Sequence, residues 1–227
     1  MTRDYLDRRL HQLEEEILLL GSMVEQAILH SVEALRMQDI NAAKAIKEDD
    51  LIINDKRYAI ENAILITIAT QQPVGRDLRR LAAMLEVSTE LERMGDYAKG
   101  IAKVTIRLEN CKVEIPHRDI KQMVELSVGM LHRALGAFVN KDPKTAASIP
   151  DEDDLVDDLY NKIYRTVINL TFQNPEIVEQ ANQIMWVAHN LERMADRVTN
   201  ICERTVFIAT GELLEMDSSD DEDAADE

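Results

Sequence analysis

At 227 residues the chain can form one large domain or two small ones, and its 45% hydrophobic residues are enough for a substantial core. Only 4% of residues are aromatic, with 7 Gly and 5 Pro, a composition suited to long, uninterrupted helices. A net charge of −17 argues against DNA or RNA as a partner, because phosphate binding needs a basic surface; it suits metal cations or basic protein surfaces.

The N-terminal stretch Met1 to Leu10 is charged throughout and is not expected to be a signal peptide. Leu6, Leu10, Leu13, Ile17, Leu20, Val24, Ala27, Ser31 and Leu35 then recur at steps of three and four, the seam of a long bundle helix. Asp39 and Asn41 offer caps for a second helix from about Ala42 to Thr70, with Leu51, Tyr58, Ile64, Leu65 and Ile68 among its apolar residues. Gln71-Gln72-Pro73 stops it, and a third helix runs from about Arg76 to Asn110. Pro116 closes the first half. Beyond it, helices are expected from about Asp119 to Val139, from Asp151 to Phe172, and from Pro175 to Gly211. The last eleven residues, Asp217 to Glu227, hold seven acids and no base and are expected to be disordered. Ala63 to Val74, the longest uncharged apolar stretch, is far too short to span a bilayer.

The second half repeats the first. Leu91-Glu92-Arg93-Met94-Gly95-Asp96 returns as Leu191-Glu192-Arg193-Met194-Ala195-Asp196 at an offset of 100 residues. Gln71-Gln72-Pro73 pairs with Gln173-Asn174-Pro175, and Glu48-Asp49-Asp50-Leu51 with Glu152-Asp153-Asp154-Leu155, at offsets of 102 and 104. The expected fold is all-α: two tandem, pseudo-symmetric three-helix bundles over residues 1–113 and 114–216, followed by the tail 217–227. Cys111 and Cys202 show no metal-ligand spacing and are expected to be reduced thiols of a cytosolic protein.

Each hexad places a Glu and an Asp four residues apart, neighbours on one helix face. Glu192 and Asp196 lie round from the stripe Leu191, Met194, Val198 and Ile201, so they flank the core. Such paired carboxylates are hard oxygen ligands with room for more than one metal ion. A neighbouring helix must complete the shell, and the acids near the starts of helices two and five are the candidates: Asp153 and Asp157 in the second half, Asp50 and Asn54 in the first. On spacing alone, a solvated acidic face balanced by Arg76, Arg79, Arg80 and Arg193 accounts for the same pattern. His189, three residues before Glu192, lies on the same side.

Enzyme signatures are missing. Glu114 and His117 share a proline-containing linker, not a helix, which argues against a carboxylate-bridged di-iron bundle. The glycine spacing Gly95 to Gly100 is that of a phosphate-binding loop, but Ile101 stands where the lysine is required.

The elements Gln71-Gln72-Pro73-Val74, Asp77-Leu78-Arg79, both hexads, Val156-Asp157-Asp158-Leu159-Tyr160, Asn200-Ile201 and Thr210-Gly211-Glu212 cover nearly the whole chain. In order and spacing the sequence resembles the PhoU family. The resemblance implies two similar three-helix bundles with a multinuclear metal site on each, commonly iron or zinc, with manganese or magnesium compatible with the same oxygen donors. Carried over, Glu92 and Asp96 belong to the first site and Glu192 and Asp196 to the second, with Asp50, Asn54, Asp153 and Asp157 at supporting positions. It further implies a cytoplasmic, non-enzymatic homodimer that holds the phosphate-starvation response off. Such a protein stands between the ATPase subunit of the phosphate ABC transporter and a sensor histidine kinase, and meets the membrane only through those partners. A metal-dependent hydrolase and a metal-free helical scaffold are the alternatives. The chain departs from the family pattern at Arg57, Tyr97 and Arg197, and Lys99 and Lys103 follow the first motif where Thr199 and Glu203 follow the second. A basic side chain there competes with a metal ion, which makes the second site the stronger expectation.

Overall fold

A computed structural model describes residues 3–109, 113 and 115–216. Cys111, Glu114 and the acidic tail 217–227 lie outside these residues. The described residues form seven α-helices and no strand: α1 (Arg3–Met37), α2 (Ile40–Gln71), α3 (Arg76–Arg107), α4 (His117–Asn140), α5 (Pro143–Ser148), α6 (Asp153–Gln173) and α7 (Val178–Thr210). Helices α1, α2 and α3 pack on one another as the first bundle, and α4, α6 and α7 as the second. Contacts between α3 and α7, and between α1 and α4, join the two.

Local signals set the boundaries. The Asp39 carboxylate accepts from the backbone N–H groups of Asn41 and Ala42 and so starts α2. Asp142 does the same for Lys144 and Thr145 at α5. Gly211, with φ of 87°, supplies the left-handed turn that ends α7. Three expectations need correction. The helix expected from Asp151 starts as a 3-10 turn over Pro150–Glu152, where the Glu152 and Asp153 N–H groups bond carbonyls three residues back, at Ile149 and Pro150. Likewise a 3-10 turn, Pro175–Ile177, precedes α7. Helix α3 ends at Arg107, short of Asn110.

The seam of α1 is buried as its spacing requires: Leu10, Leu13, Ile17, Leu20, Val24 and Leu35 are almost inaccessible to solvent. By length and composition this helix could cross a membrane. Here its apolar face packs into the bundle. One continuous hydrophobic core runs through both halves, from Leu10 and Leu91 to Phe138, Leu191 and Ile201. Helix α2 buries Ile53, Ile60 and Ile64, whereas Leu51, Tyr58 and Leu65 face outward.

Glycine permits close approaches between the halves. A Cβ at Gly21 of α1 would sit 2.3 Å from Leu135 Cδ1 of α4, and one at Gly100 of α3 would sit 2.4 Å from Trp186 Cη2 of α7. Polar pairs reinforce the junction. Glu90 of α3 accepts from Asn200 and Arg197 of α7 at 3.2 and 3.5 Å, and Arg193 of α7 donates to the Tyr97 hydroxyl at 3.2 Å. The buried Arg80 and Glu14 side chains meet at 2.7 Å between α3 and α1, with Lys141, just past α4, 3.6 Å from Glu14.

Candidate metal centres

Helices α3 and α7 superpose in sequence at an offset of 100. Leu91, Met94, Ala98 and Ile101 are buried on one, Leu191, Met194, Val198 and Ile201 on the other. The offset between α2 and α6 is 103: buried Asp50, Ile53, Ile60 and Ile64 correspond to buried Asp153, Val156, Ile163 and Val167. The offset of 104 drawn from the Glu-Asp-Asp-Leu match is therefore displaced by one residue. Burial, not residue identity, marks the equivalent faces, and it pairs Asp50 with Asp153 and Asn54 with Asp157.

These registers bring the expected residues together in both halves. In the second, buried Asp153 and half-buried Asp157 of α6 share an electrostatic neighbourhood with Glu192 and Asp196 of α7. Burial, followed by the charges of Asp157, Asp196, Glu192 and Asp154, pushes the Asp153 carboxyl from 3.8 up to about 7. Burial also raises Asp196, opposed by Arg193, Arg197 and His189. His189 Nδ1 lies 3.1 Å from Glu192 Oε2, and its ring faces Tyr160 at 6.3 Å. Asp153 Oδ1 and Thr199 Oγ1 are buried without a hydrogen-bond partner. A buried oxygen normally finds a donor, so an orphaned carboxylate oxygen among three further acids has the surroundings a cation would satisfy.

In the first half, Asp50 is buried, Glu92 half-buried and Asp96 exposed. Here the cluster contains its own cation. Lys99 Nζ donates to Asp50 Oδ2 at 2.6 Å and to Asp96 Oδ1 at 3.5 Å. The Asn54 amide donates to the same Asp50 oxygen at 3.0 Å. Its hydrogen bond to Asp50 raises the Lys99 ammonium above its ordinary value against the effect of burial. Glu92 is raised by burial and by Asp96, with Arg57 opposing. Gly95 allows α2 to come this close, since a Cβ there would lie 3.1 Å from Ile53 Cγ2. Beside the cluster lies a cavity of about 350 Å³ bounded by Ala27, His30, Asp50, Ile53, Gly95 and Lys99, which no sequence signal marked.

Lys99 and Thr199 are equivalent under the 100-residue offset, and Arg57 and Tyr160 under the 103-residue offset. Both replacements remove a cation from the second cluster. The donor set there is of the type a hard divalent ion takes: Asp153, Asp157, Glu192 and Asp196 would hold it, and it would add positive charge to that already offered by Arg193, Arg197 and His189. The first set does not fit, because an ammonium already occupies Asp50. Among the described residues no three His, Cys, Asp or Glu side chains close on a single point, so binding requires the second cluster's carboxylates to draw in.

The PhoU domain family matches residues 17–105 and 120–205. The chain is 37% identical over 217 residues to the phosphate-specific transport system accessory protein PhoU homolog of Clostridium acetobutylicum, covering 95% of this chain and 99% of that protein. It is 34% identical over 214 residues to the homolog of the same description from Streptococcus pneumoniae, covering 94% and 99%. The crystal structure of the phosphate transport system regulatory protein PhoU from Streptococcus pneumoniae superposes with a TM-score of 0.85 at 35% identity, over 92% of this chain and 99% of that one. The crystal structure of PhoU from Pseudomonas aeruginosa superposes with a TM-score of 0.84 at 27% identity, over 91% and 99%. With two copies of the domain, a shared fold and relatives matched almost end to end, the chain belongs to the PhoU family.

Proposed function

We propose that this chain is the accessory protein of a phosphate transport system and that it restrains both phosphate uptake and the phosphate-starvation response. In this reading it is a cytoplasmic homodimer. It links the ATPase subunit of the phosphate ABC transporter to the sensor histidine kinase and reaches the membrane only through them. The observation that carries the reading is the near full-length similarity to phosphate-specific transport system accessory proteins. The second acidic cluster adds the chemistry: a divalent ion, iron or zinc by the family expectation and manganese or magnesium by donor type, stiffens the α6–α7 face that a partner grips.

The test is a pull-down of the full-length chain from native cells at high and low phosphate, with elemental analysis of the bait. The expected result is recovery of the transporter ATPase or the sensor kinase, stronger at high phosphate, with metal in the bait. Absence of both partners under both conditions contradicts the adaptor role. Metal-dependent phosphoester turnover that disappears with Glu192→Ala and Asp196→Ala would favour a hydrolase instead.

A further inference from the structure

We propose that the first acidic cluster carries its cation covalently: the Lys99 ammonium does there what a bound metal ion does in the second, so this chain takes metal in its C-terminal half alone. Only the contrast between halves rests on the cation reading of the second cluster; the assignment of Lys99 rests on its own geometry. Lys99 Nζ lies 2.6 Å from the buried Asp50 Oδ2, which also accepts the Asn54 amide at 3.0 Å. Two donors leave that oxygen little room for a metal. The ammonium also reaches Asp96 Oδ1 at 3.5 Å, bridging α2 and α3 as a metal would.

The charges differ in the same sense. Asp50, Glu92 and Asp96 face Lys99 and Arg57, with Asn54 neutral. In the second cluster Asp153, Asp157, Glu192 and Asp196 are all acidic, and Thr199 and Tyr160 occupy the places of the two cations. Buried Asp153 Oδ1 and Thr199 Oγ1 lack partners in the position where Lys99 serves the other half. Arg193 and Arg197 donate to Tyr97 and Glu90 across the junction, and they offset Asp196 from there, as His189 does Glu192, without reaching Asp153 Oδ1. Duplicated halves have thus reached two solutions for one problem, a tethered monovalent cation and a set of carboxylates that would take a divalent one.

The experiment uses the full-length chain, stripped with chelator and titrated with Mn²⁺ by calorimetry and by equilibrium dialysis with elemental analysis. Mn²⁺ bound to wild type is expected to persist in Asp50→Asn and to disappear in Asp153→Asn/Asp196→Asn. Lys99→Thr should gain at least one further Mn²⁺ per chain, with a lower melting temperature that Mn²⁺ restores; Lys99→Arg should gain none. A fall in wild-type Mn²⁺ content on Asp50→Asn overturns the proposal, and this arm remains decisive if Lys99→Thr does not fold. A folded Lys99→Thr with no added Mn²⁺ also overturns it. If Lys99→Thr gains Mn²⁺ while the second cluster binds none, the tethered cation stands and the metal part of the proposed function falls.

Discussion

Replacing Asp153 by Asn should stabilise the metal-free protein at neutral pH, although it removes a negative charge from a helix start. Asp153 is 2% exposed, and its carboxyl is raised from 3.8 to about 7 by burial and by the charges of Asp157, Asp196, Glu192 and Asp154. A group whose folded value lies above its unfolded value favours the native state below about pH 4 and loses that contribution as pH rises to about 7. At 1.36 kcal/mol per unit, the shift corresponds to a ceiling of about 4 kcal/mol. Screening of the half-exposed acids around it reduces this to about 2–3 kcal/mol. Loss of a carboxylate from the first turn of α6 subtracts about 0.3–1 kcal/mol. The net expectation is a gain of about 1–2 kcal/mol for Asp153→Asn at pH 7.5 in chelator, read by urea denaturation. Between pH 4.5 and 7, wild-type stability should fall relative to that of the variant. A destabilised variant, or parallel pH curves, would refute the view that the second cluster is an under-neutralised site.

Other parts of the fold make equally definite demands. Arg80→Met leaves Glu14 buried without its 2.7 Å partner. Breaking such a pair costs about 3–5 kcal/mol, and with Lys141 still 3.6 Å away the expected loss is about 2–3 kcal/mol, most of it recovered by adding Glu14→Gln. No recovery in the double variant would show that the pair is incidental. Gly100→Ala puts a methyl 2.4 Å from the ring of the single tryptophan, Trp186. Its emission should shift to the red, with a net loss of about 1 kcal/mol once the helix-forming gain of Ala is set against overpacking; unchanged emission would contradict the contact. Cys202 is buried, and burial pushes its thiol from 9.0 up to about 12. It should resist alkylation at pH 8 until the protein unfolds, as read by peptide mapping, and stability should decline as pH rises from about 9 towards 12. Labelling of Cys202 at the rate of a free thiol would refute its burial.

What was legible in the sequence follows from the range of each interaction. The hexads fixed the α3–α7 register because their apolar and acidic positions repeat within one helix, where periodicity alone decides which face is buried. For α2 and α6 the sequence holds two registers: the Glu-Asp-Asp-Leu match implies an offset of 104, whereas pairing Asp50 and Asn54 with Asp153 and Asp157 implies 103. Runs of adjacent acids match at several offsets, and the buried positions Asp50 and Asp153, set by the helix opposite, select 103. The basic character of the first site was visible in Lys99, three residues after Asp96. Its bond to Asp50, 49 residues away, depends on how closely Gly95 lets two helices approach. The Glu90 and Glu14 networks left no local trace, since their partners come from other helices. The shared core was hidden for the same reason: each half patterned as a separate bundle, while the faces that join α1 to α4 and α3 to α7 lie within the same apolar stripes.

The most direct test of the two-cluster description is anomalous diffraction from crystals of the full-length chain equilibrated with Mn²⁺ or Zn²⁺. The expected map has density among Asp153, Asp157, Glu192 and Asp196, and none beside Asp50, where the Lys99 ammonium stays in place. An anomalous peak at Asp50 with Lys99 displaced, or an empty second cluster under saturating metal, would contradict it.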